Sequence, residues 1–280
     1  MSGKTIPVTL LQALLLGLVQ GATEFIPVSS SAHLVLVPYL LNWKVDPQVA
    51  FAYDVLVHWG TLIAVILYFR KDLWNYLKSA LQGIFSGKFI QNTDSKLAWL
   101  LVVGTVPAAI IGYLFADFFE KMFSRPLPAA LFLFVTAFLL TWSQRQAKTA
   151  RELKNMNFWD ALIIGSAQAI AIFPGISRSG ATISAGLFRG IDKVSTARFS
   201  FLLSVPIIFG AGFLPLKELL RMHLLQENLP VLATGFFSAL VSGYLCIDFL
   251  LRFLQKRKLY VFAGYCVLFA VLNLLVIFIR

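Results

Sequence analysis

Charged residues are scarce in this sequence. Only 13% of its 280 residues are Asp, Glu, Lys or Arg, whereas 59% are hydrophobic. A soluble domain carries roughly a quarter charged residues. The mean hydropathy of +0.79 excludes an ordinary soluble domain, since so much apolar surface cannot be hidden in one core. We therefore expect lipid to cover the apolar surface that the core leaves over.

Cysteine is scarce as well. The chain contains two cysteines, Cys246 and Cys266, and both lie inside apolar runs. At such positions cysteine is expected to pack as a small hydrophobic side chain. The pair offers neither a disulfide framework nor the ligand spacing of a zinc site. The sequence thus gives no sign of a fold that depends on cross-links or on cysteine-bound metal.

Long apolar runs are abundant. Six of them approach or exceed the length of about 20 residues that a membrane-spanning helix needs; they cover residues 51–69, 97–116, 127–142, 196–216, 229–251 and 259–279. Each run is continuous, whereas an outer-membrane barrel would show alternating strands of about ten residues. The sequence therefore predicts an all-α polytopic membrane protein, with residues 1–280 forming a single membrane domain.

Positive charge is distributed unevenly between the connecting segments. Of the 24 Lys and Arg residues, five fall in 70–96, four in 144–157, three in 189–198 and four in 252–258. The other connections, 41–49, 117–126 and 217–229, hold one, two and two. This is the positive-inside pattern, and it places the basic segments in the cytoplasm. The net charge of +11 therefore indicates membrane orientation and attraction to anionic lipid, and no nucleic acid partner is expected.

Two polar segments, residues 17–33 and 165–182, resemble each other. A shift of 148 residues aligns five pairs: Gly17 with Gly165, Gln20 with Gln168, Phe25 with Phe173, Ser29 with Ser177, and Ser31 with Ser179. Each copy consists of an apolar helix, a break rich in Pro and Ser, and a second apolar stretch. We interpret the chain as two repeats, about 8–142 and about 156–279.

The charge pattern also constrains how these segments cross the membrane. Because 144–157 and 189–198 both belong inside, the stretch 158–190 must enter the bilayer and return to the same face. We predict a re-entrant helical hairpin there, and a matching hairpin over 8–41 that enters from the opposite face. The expected architecture is an inverted-topology repeat with six transmembrane helices, two re-entrant hairpins and both termini outside. Broken helices of this kind form binding sites near the bilayer midplane.

The second polar segment, PGISRSGAT at 174–182, has the composition of an anion site. Ser177 and Ser179 supply hydroxyl groups, and Arg178 supplies a planar fork that suits phosphate oxygens. A helix that begins here would direct its positive dipole end at a bound anion. The alternative is a serine-rich helix N-cap with Arg178 paired to a carboxylate. An ionisable residue in the membrane costs roughly 2.5–3.5 kcal/mol, so a partner such as Glu24 is expected for Arg178.

The first polar segment contains the candidate reactive groups. Glu24 can hold a divalent metal, with Gln20 beside it, or accept a proton. His33 can act as a nucleophile, a general base or a proton donor. The alternative for His33 is a plain hydrogen bond between helices.

Three serines follow Pro27 in the same segment. Ser30 is a candidate hydroxyl nucleophile, while Ser29 and Ser31 are candidate phosphate ligands; the alternative is that they only cap a helix. Asp54 and His58 lie one helical turn apart in the first apolar run. They can flank the site, although capping and packing is the favoured interpretation for them.

Together, QGATE, PVSSSAH and PGISRSGAT resemble the undecaprenyl pyrophosphate phosphatase family, the bacitracin-resistance phosphatases of bacteria. The segments HWGT at 58–61 and FSFLLSVP at 199–206 extend the resemblance over nearly the whole chain. Many members carry Glu where this chain has Gln20, so Glu24 has more of the metal-binding role here.

The resemblance implies an enzyme that hydrolyses C55-isoprenyl diphosphate to undecaprenyl phosphate and phosphate. This reaction recycles the lipid carrier of peptidoglycan synthesis and confers bacitracin resistance. The resemblance further implies a Mg²⁺ or Ca²⁺ cofactor, the bacterial inner membrane, a site open to the periplasmic side, and a homodimer as a candidate assembly. A flippase for undecaprenyl phosphate is the alternative, because inverted repeats with broken helices are typical of alternating access.

The expected roles follow from the matching residues. Arg178 is the expected phosphate clamp, Glu24 the metal ligand or base, and either His33 or Ser30 the nucleophile or general acid/base. The remaining expected phosphate ligands are Ser29, Ser31, Ser177, Ser179 and Thr182.

Overall fold

The structure, a computed structural model, describes residues 8–123, 125–147, 151–221 and 224–280. Within these residues the fold is α-helical, and the β pairing consists of a single bridge between Arg151 and Ile191. The helices are α1 (Leu10–Phe25), α2 (Ser30–Leu40), α3 (Pro47–Tyr68), α4 (Arg70–Phe85), α5 (Thr93–Leu114), α6 (Ala116–Phe123), α7 (Pro126–Gln146), α8 (Phe158–Ile170), α9 (Arg178–Phe188), α10 (Lys193–Leu219), α11 (Leu224–Glu227), α12 (Leu229–Lys256) and α13 (Tyr260–Ile279). The all-α fold predicted from the sequence is confirmed.

Six of these helices are long and apolar enough to cross a bilayer, namely α3, α5, α7, α10, α12 and α13. Each overlaps one of the six predicted runs, so the prediction of a polytopic membrane protein is confirmed. The helices α10 and α12, with 27 and 28 residues, begin or end beyond the predicted runs. The Asp192 carboxylate caps α10 from the polar loop, accepting hydrogen bonds from two backbone N–H groups of its first turn.

Four shorter helices form the two predicted hairpin regions. The first pair is α1 and α2, with 16 and 11 residues, and the second is α8 and α9, with 13 and 11. Each is shorter than the ~20 residues that a spanning helix needs. The helices α2 and α9 have equal lengths and begin 148 residues apart, at the shift that aligns the repeats. Re-entry into the membrane and the division into two repeats stay predictions.

The two breaks, between α1 and α2 and between α8 and α9, share a pattern of side-chain hydrogen bonds. The Ser29 hydroxyl caps α2 by accepting a hydrogen bond from the Ala32 N–H, and the Ser177 hydroxyl caps α9 in the same way with Gly180. In each break the capping hydroxyl lies 3.2 Å from the hydroxyl of the serine two residues later. Ser29 and Ser177 therefore cap helices, as one interpretation predicts, and both helix N-termini lie at the breaks; phosphate binding by these serines stays a prediction.

Close backbone contacts hold the short helices against the spanning ones. A Cβ on Gly17 of α1 would overlap Ser238 and Gly235 of α12, and a Cβ on Gly165 of α8 would overlap the backbone of Gly104 on α5. Lipid tails are as apolar as the helices, so helix association in a membrane depends on such close packing of small residues. Gly17 and Gly165, which match in the alignment of the two polar segments, thus allow α1 and α8 to pack directly against α12 and α5.

A buried ion cluster joins the two ends of the second hairpin region. Asp160, in the first turn of α8, is fully buried and accepts hydrogen bonds from Arg151 and from the Nε–H of Arg189 just after α9. The N–H of Asp192 also donates to the carbonyl of Arg151. The start of α8 and the end of α9 therefore lie at the same end of the molecule, as a re-entrant hairpin requires.

We predict that Gly165→Ala destabilises the protein by about 1–3 kcal/mol, because the added methyl overpacks the contact with Gly104. The matched control is Gly264→Ala on α13, where a Cβ meets nothing within 4 Å. Heating the detergent-solubilised variants and measuring the fraction that stays monodisperse on size-exclusion chromatography compares them. Equal thermal stability of the two variants would contradict the α5–α8 contact.

Candidate active site

The breaks in the two hairpin regions meet. The hydroxyl of Ser179, in the first turn of α9, donates to the carbonyl of Ile26 at 3.4 Å, immediately after α1. The same meeting brings the side chain of Arg178 to Glu24, at the end of α1. The N-termini of α2 and α9 therefore lie on either side of one polar region inside an otherwise apolar molecule.

Glu24 is the centre of this polar region and is only 7% exposed. Its Oε1 accepts a hydrogen bond from Nη2 of Arg178 at 2.7 Å. Its Oε2 accepts from the Ser30 hydroxyl at 2.7 Å and from the Gln20 amide at 3.0 Å. Ser30 and Arg178 are the first residues of α2 and α9, so each break supplies one donor to the same carboxylate.

Arg178 is fixed on its other side by α10. Its Nη1 donates to the carbonyl of Ser200 at 3.1 Å, so these contacts use two of its five N–H donors. The Thr182 hydroxyl lies 2.7 Å from the Arg178 carbonyl and 2.6 Å from the Ser200 hydroxyl. The Thr182 hydroxyl therefore braces the first turn of α9, and its role in phosphate binding stays a prediction. Ser200 belongs to the FSFLLSVP segment, so α10 contributes the support for the guanidinium.

Thr136 of α7 holds the second break in shape. Its hydroxyl donates to the carbonyl of Gly175 at 2.8 Å and accepts from the N–H of Ser177 at 2.9 Å. Gly175 has a φ of 103°, and a Cβ there would overlap Ala129 of α7. Sequence reasoning missed Thr136, whose only signal is a hydroxyl in an apolar run.

His58 lies beside Glu24. Its Nε2 is 3.9 Å from Oε2 of Glu24, while its Nδ1 is 2.8 Å from the backbone carbonyl of Asp54 and 3.6 Å from the Asp54 carboxylate. The structure therefore favours the site-flanking alternative over simple packing. His58 is the twelfth of the 22 residues of α3, about halfway along a helix long enough to cross the bilayer. The polar region thus lies near the midplane if α3 spans the membrane.

His33 is in a different environment. Its Nδ1 lies 2.7 Å from the carbonyl of Ser29, and its Nε2 lies 2.7 Å from the Tyr265 hydroxyl on α13. The ring of Phe269 stacks on it with centroids 4.5 Å apart, and His33 is only 2% exposed. Both ring nitrogens are therefore engaged, and it is Ser30 that contacts Glu24.

The polar region contains oxygen ligands for a metal. Among the described residues no group of three or more His, Cys, Asp or Glu side chains is placed to hold an ion. However, Oε1 of Gln20 is buried without a hydrogen-bond partner, next to the Glu24 carboxylate that its own amide contacts. A carboxylate and an amide oxygen suit a hard cation such as Mg²⁺ or Ca²⁺ when a substrate supplies further oxygens.

Comparisons of the sequence with a family model and with known proteins point to the same family. The family model of bacitracin resistance protein BacA matches residues 13–272. A protein of Moorella thermoacetica named undecaprenyl-diphosphatase is 44% identical, over 97% of this chain and 99% of its own length. Proteins of the same name from Methanosphaera stadtmanae and Rubrobacter xylanophilus are 39% and 43% identical, over 95% and 91% of this chain and 97% and 94% of their own lengths.

We predict that removing either partner of the Glu24–Arg178 pair destabilises the protein by about 3–5 kcal/mol, because it leaves a buried charge unpaired. The double variant Glu24→Gln/Arg178→Met removes both charges and should lose less than the sum of Glu24→Gln and Arg178→Met. Unfolding in detergent, followed by tryptophan fluorescence, measures all four proteins.

The comparison pair is Arg198 and Asp72, which are 3.0 Å apart and about one-third exposed. Removing Asp72 with Asp72→Asn should cost less than about 1 kcal/mol, since solvent screens the pair. Strictly additive effects of the two substitutions at Glu24 and Arg178 would show that the buried pair is not energetically coupled.

Proposed function

Because the chain belongs to the bacitracin resistance protein BacA family, we propose that it is an undecaprenyl-diphosphatase, which hydrolyses undecaprenyl diphosphate to undecaprenyl phosphate and phosphate. The observation that carries the proposal is the 2.7 Å hydrogen bond from the Ser30 hydroxyl to Glu24, with Arg178 bound to the same carboxylate. A hydroxyl nucleophile next to a base, with the base oriented by a third group, is the arrangement that covalent catalysis needs.

Ser30 is the proposed nucleophile. Its Oγ attacks the terminal phosphorus of the lipid diphosphate while its proton passes to Oε2 of Glu24. The bond between the terminal phosphorus and the bridging oxygen breaks, and undecaprenyl phosphate leaves. Water then hydrolyses the phosphoserine, which releases phosphate and regenerates the Ser30 hydroxyl. His33 is not assigned the attack, since both of its ring nitrogens bond elsewhere.

Arg178 and the two helix N-termini are proposed to stabilise the transferred phosphoryl group. Charge in a loose phosphoryl-transfer transition state is spread over the equatorial oxygens, which a guanidinium and oriented N–H groups can bind. The helices α2 and α9 both begin at the site, and their dipoles favour a nearby anion. The serines that cap them, Ser29 and Ser177, and their neighbours Ser31 and Ser179 are proposed to add hydroxyl contacts.

Glu24 and Gln20 are the residues proposed to hold a divalent cation, through the carboxylate and the partnerless Oε1 of the amide. Such an ion would neutralise part of the diphosphate charge when bound. Glu24 also forms the ion pair with Arg178. Substrate binding is therefore proposed to replace this internal pair with contacts between the diphosphate and Arg178.

An exposed apolar face of α1, the helix that carries Glu24, fits a lipid substrate. Leucines of α1 at positions 10, 11, 14, 15 and 18 are all at least 40% exposed, as expected of a lipid-facing surface. We propose that the isoprenoid tail leaves between helices into lipid while the diphosphate remains at Glu24. From the positive-inside pattern, α2 leads to the outer face, so the proposed site opens to the periplasmic side of a bacterial inner membrane.

The biological role proposed for this reaction is recycling of the lipid carrier of peptidoglycan synthesis, with bacitracin resistance as a consequence. The homodimer stays a prediction.

We predict that the purified protein releases phosphate from undecaprenyl or farnesyl diphosphate and that Ser30→Ala lowers kcat by at least about 100-fold. The matched control is Ser166→Ala on the exposed face of α8, where the hydroxyl only contacts its own helix. Colorimetric phosphate release at saturating substrate measures both.

Two outcomes would contradict different parts of the proposal. A Ser30→Ala variant with the parental rate would exclude Ser30 as the nucleophile. Movement of undecaprenyl phosphate across vesicle bilayers, with no phosphate release by the parental protein, would favour the flippase alternative.

We also predict that a chelator abolishes phosphate release and that Mg²⁺ or Ca²⁺ restores it. Gln20→Glu should lower the cation concentration needed for half-maximal activity by roughly tenfold, because a second carboxylate strengthens binding of a hard cation. Gln255→Glu, at an exposed position near the end of α12, is the matched control. Activity that persists in the chelator would remove the metal from the proposal.

A further inference from the structure

The backbone of Ser29 is strained. Its φ of 71° and ψ of 95° lie in a region that residues other than glycine rarely adopt. The matching residue of the second break, Ser177, has an ordinary extended conformation with φ −68° and ψ 121°. Strain of this kind persists only where the surroundings fix it. The first break, which contains Ser30, therefore needs a restraint that the second break does not.

His33 supplies a restraint on Ser29. The Ser29 carbonyl lies 2.7 Å from Nδ1 of His33 and also accepts from the His33 backbone N–H at 3.2 Å. A carbonyl can only accept, so Nδ1 must carry the proton. The residue that matches His33 in the second repeat is Ala181, which gives Ser177 the backbone hydrogen bond alone. The side-chain bond thus occurs in the break that has the strained serine.

Tyr265 completes this arrangement. When Nδ1 of the neutral ring is protonated, Nε2 is an acceptor, so the Tyr265 hydroxyl at 2.7 Å donates to it. Phe269, one helical turn further along α13, lies parallel to the imidazole at 4.5 Å. The hydroxyl supports the tautomer that the Ser29 carbonyl requires, and the stacked ring fixes the plane of the imidazole.

We propose that Tyr265 is a positioning residue for phosphate release. It holds His33 in the Nδ1-protonated tautomer, His33 holds the Ser29 carbonyl, and the strained Ser29 backbone keeps the Ser30 hydroxyl 2.7 Å from Glu24. The inference rests on the proposed function and extends it to α13, which makes no hydrogen bond to Glu24, Ser30 or Arg178 among the described contacts. A chemical role for His33 would require a ring nitrogen that faces the diphosphate, whereas both are committed to Ser29 and Tyr265.

Tyr265→Phe removes the hydroxyl alone. Loss of one positioning hydrogen bond should lower kcat for farnesyl diphosphate about tenfold, while KM stays within twofold because Tyr265 does not touch the substrate. The matched control is Tyr244→Phe on α12, which is exposed to the same extent and should retain the parental kcat. A parental kcat for Tyr265→Phe would overturn the proposal.

Substitutions of His33 separate positioning from chemistry. The amide of Asn can occupy the place of Nδ1 and donate to the Ser29 carbonyl, whereas the longer Gln places its amide near Nε2. His33→Asn should therefore retain at least tenfold more activity than His33→Gln and His33→Ala. Equal and complete loss in all three variants would show instead that the imidazole takes part in the chemistry.

The tautomer itself gives a readout that does not depend on activity. The chain has three histidines, so spectra of ¹⁵N-histidine-labelled protein, with His33→Ala for assignment, can identify the His33 signals. An unprotonated Nε2 that accepts a hydrogen bond is expected in the parental protein, and an Nε2 signal shifted by the loss of that hydrogen bond is expected in Tyr265→Phe. Identical His33 spectra in both would overturn the proposal, even if the parental protein released no phosphate and the proposed function had failed.

Discussion

The ion pair between Glu24 and Arg178 is the interaction on which the rest of the structure depends. Each of these side chains would be costly to place alone in a membrane, and each comes from a different hairpin region. The pair can form only if the breaks after α1 and before α9 meet. Glycine contacts with α12 and α5, the Thr136 bridge from α7 and the Ser200 carbonyl of α10 all serve to keep that meeting in place.

The two breaks have the same helix start and serine cap, and they differ in the side chains that they place in the site. Both start a helix of 11 residues with a serine cap, yet the residue after the cap is Ser30 in one and Arg178 in the other. Where the first copy has Gln20 and Glu24, the second has Gln168 and Ile172. The buried side chain of Gln168 accordingly lacks a hydrogen-bond partner, as expected of a residue whose matching carboxylate is absent. In the proposed reaction the first break therefore supplies the nucleophile Ser30, and the second supplies the guanidinium of Arg178.

Much of this could be predicted from the sequence, because the strongest signals are physical. Apolar runs close to or above the length that a bilayer needs predict the spanning helices, and a Glu and an Arg in matched apolar segments predict their pairing. The local environment of His33 could not be predicted, since it depends on Tyr265, which is 232 residues away and belongs to a helix with no polar motif. For His58 the sequence offers a place beside the site only as the less favoured alternative, because a histidine and an aspartate one turn apart in an apolar run also fit capping and packing.

Charge balance places a further demand on the site. The positive charge of Arg178 is already balanced by Glu24, so a lipid diphosphate that enters brings negative charge that this pair does not compensate. Proton transfer from Ser30 to Glu24 would neutralise the carboxylate and free the guanidinium for the phosphoryl oxygens. Before that step a divalent cation, as proposed above, would offset the excess charge, and the buried Oε1 of Gln20 lies beside the carboxylate without a hydrogen-bond partner. In the proposed reaction, therefore, the divalent ion would carry the charge balance during substrate entry, and the ion pair that joins the two hairpin regions is the pair that the substrate would open.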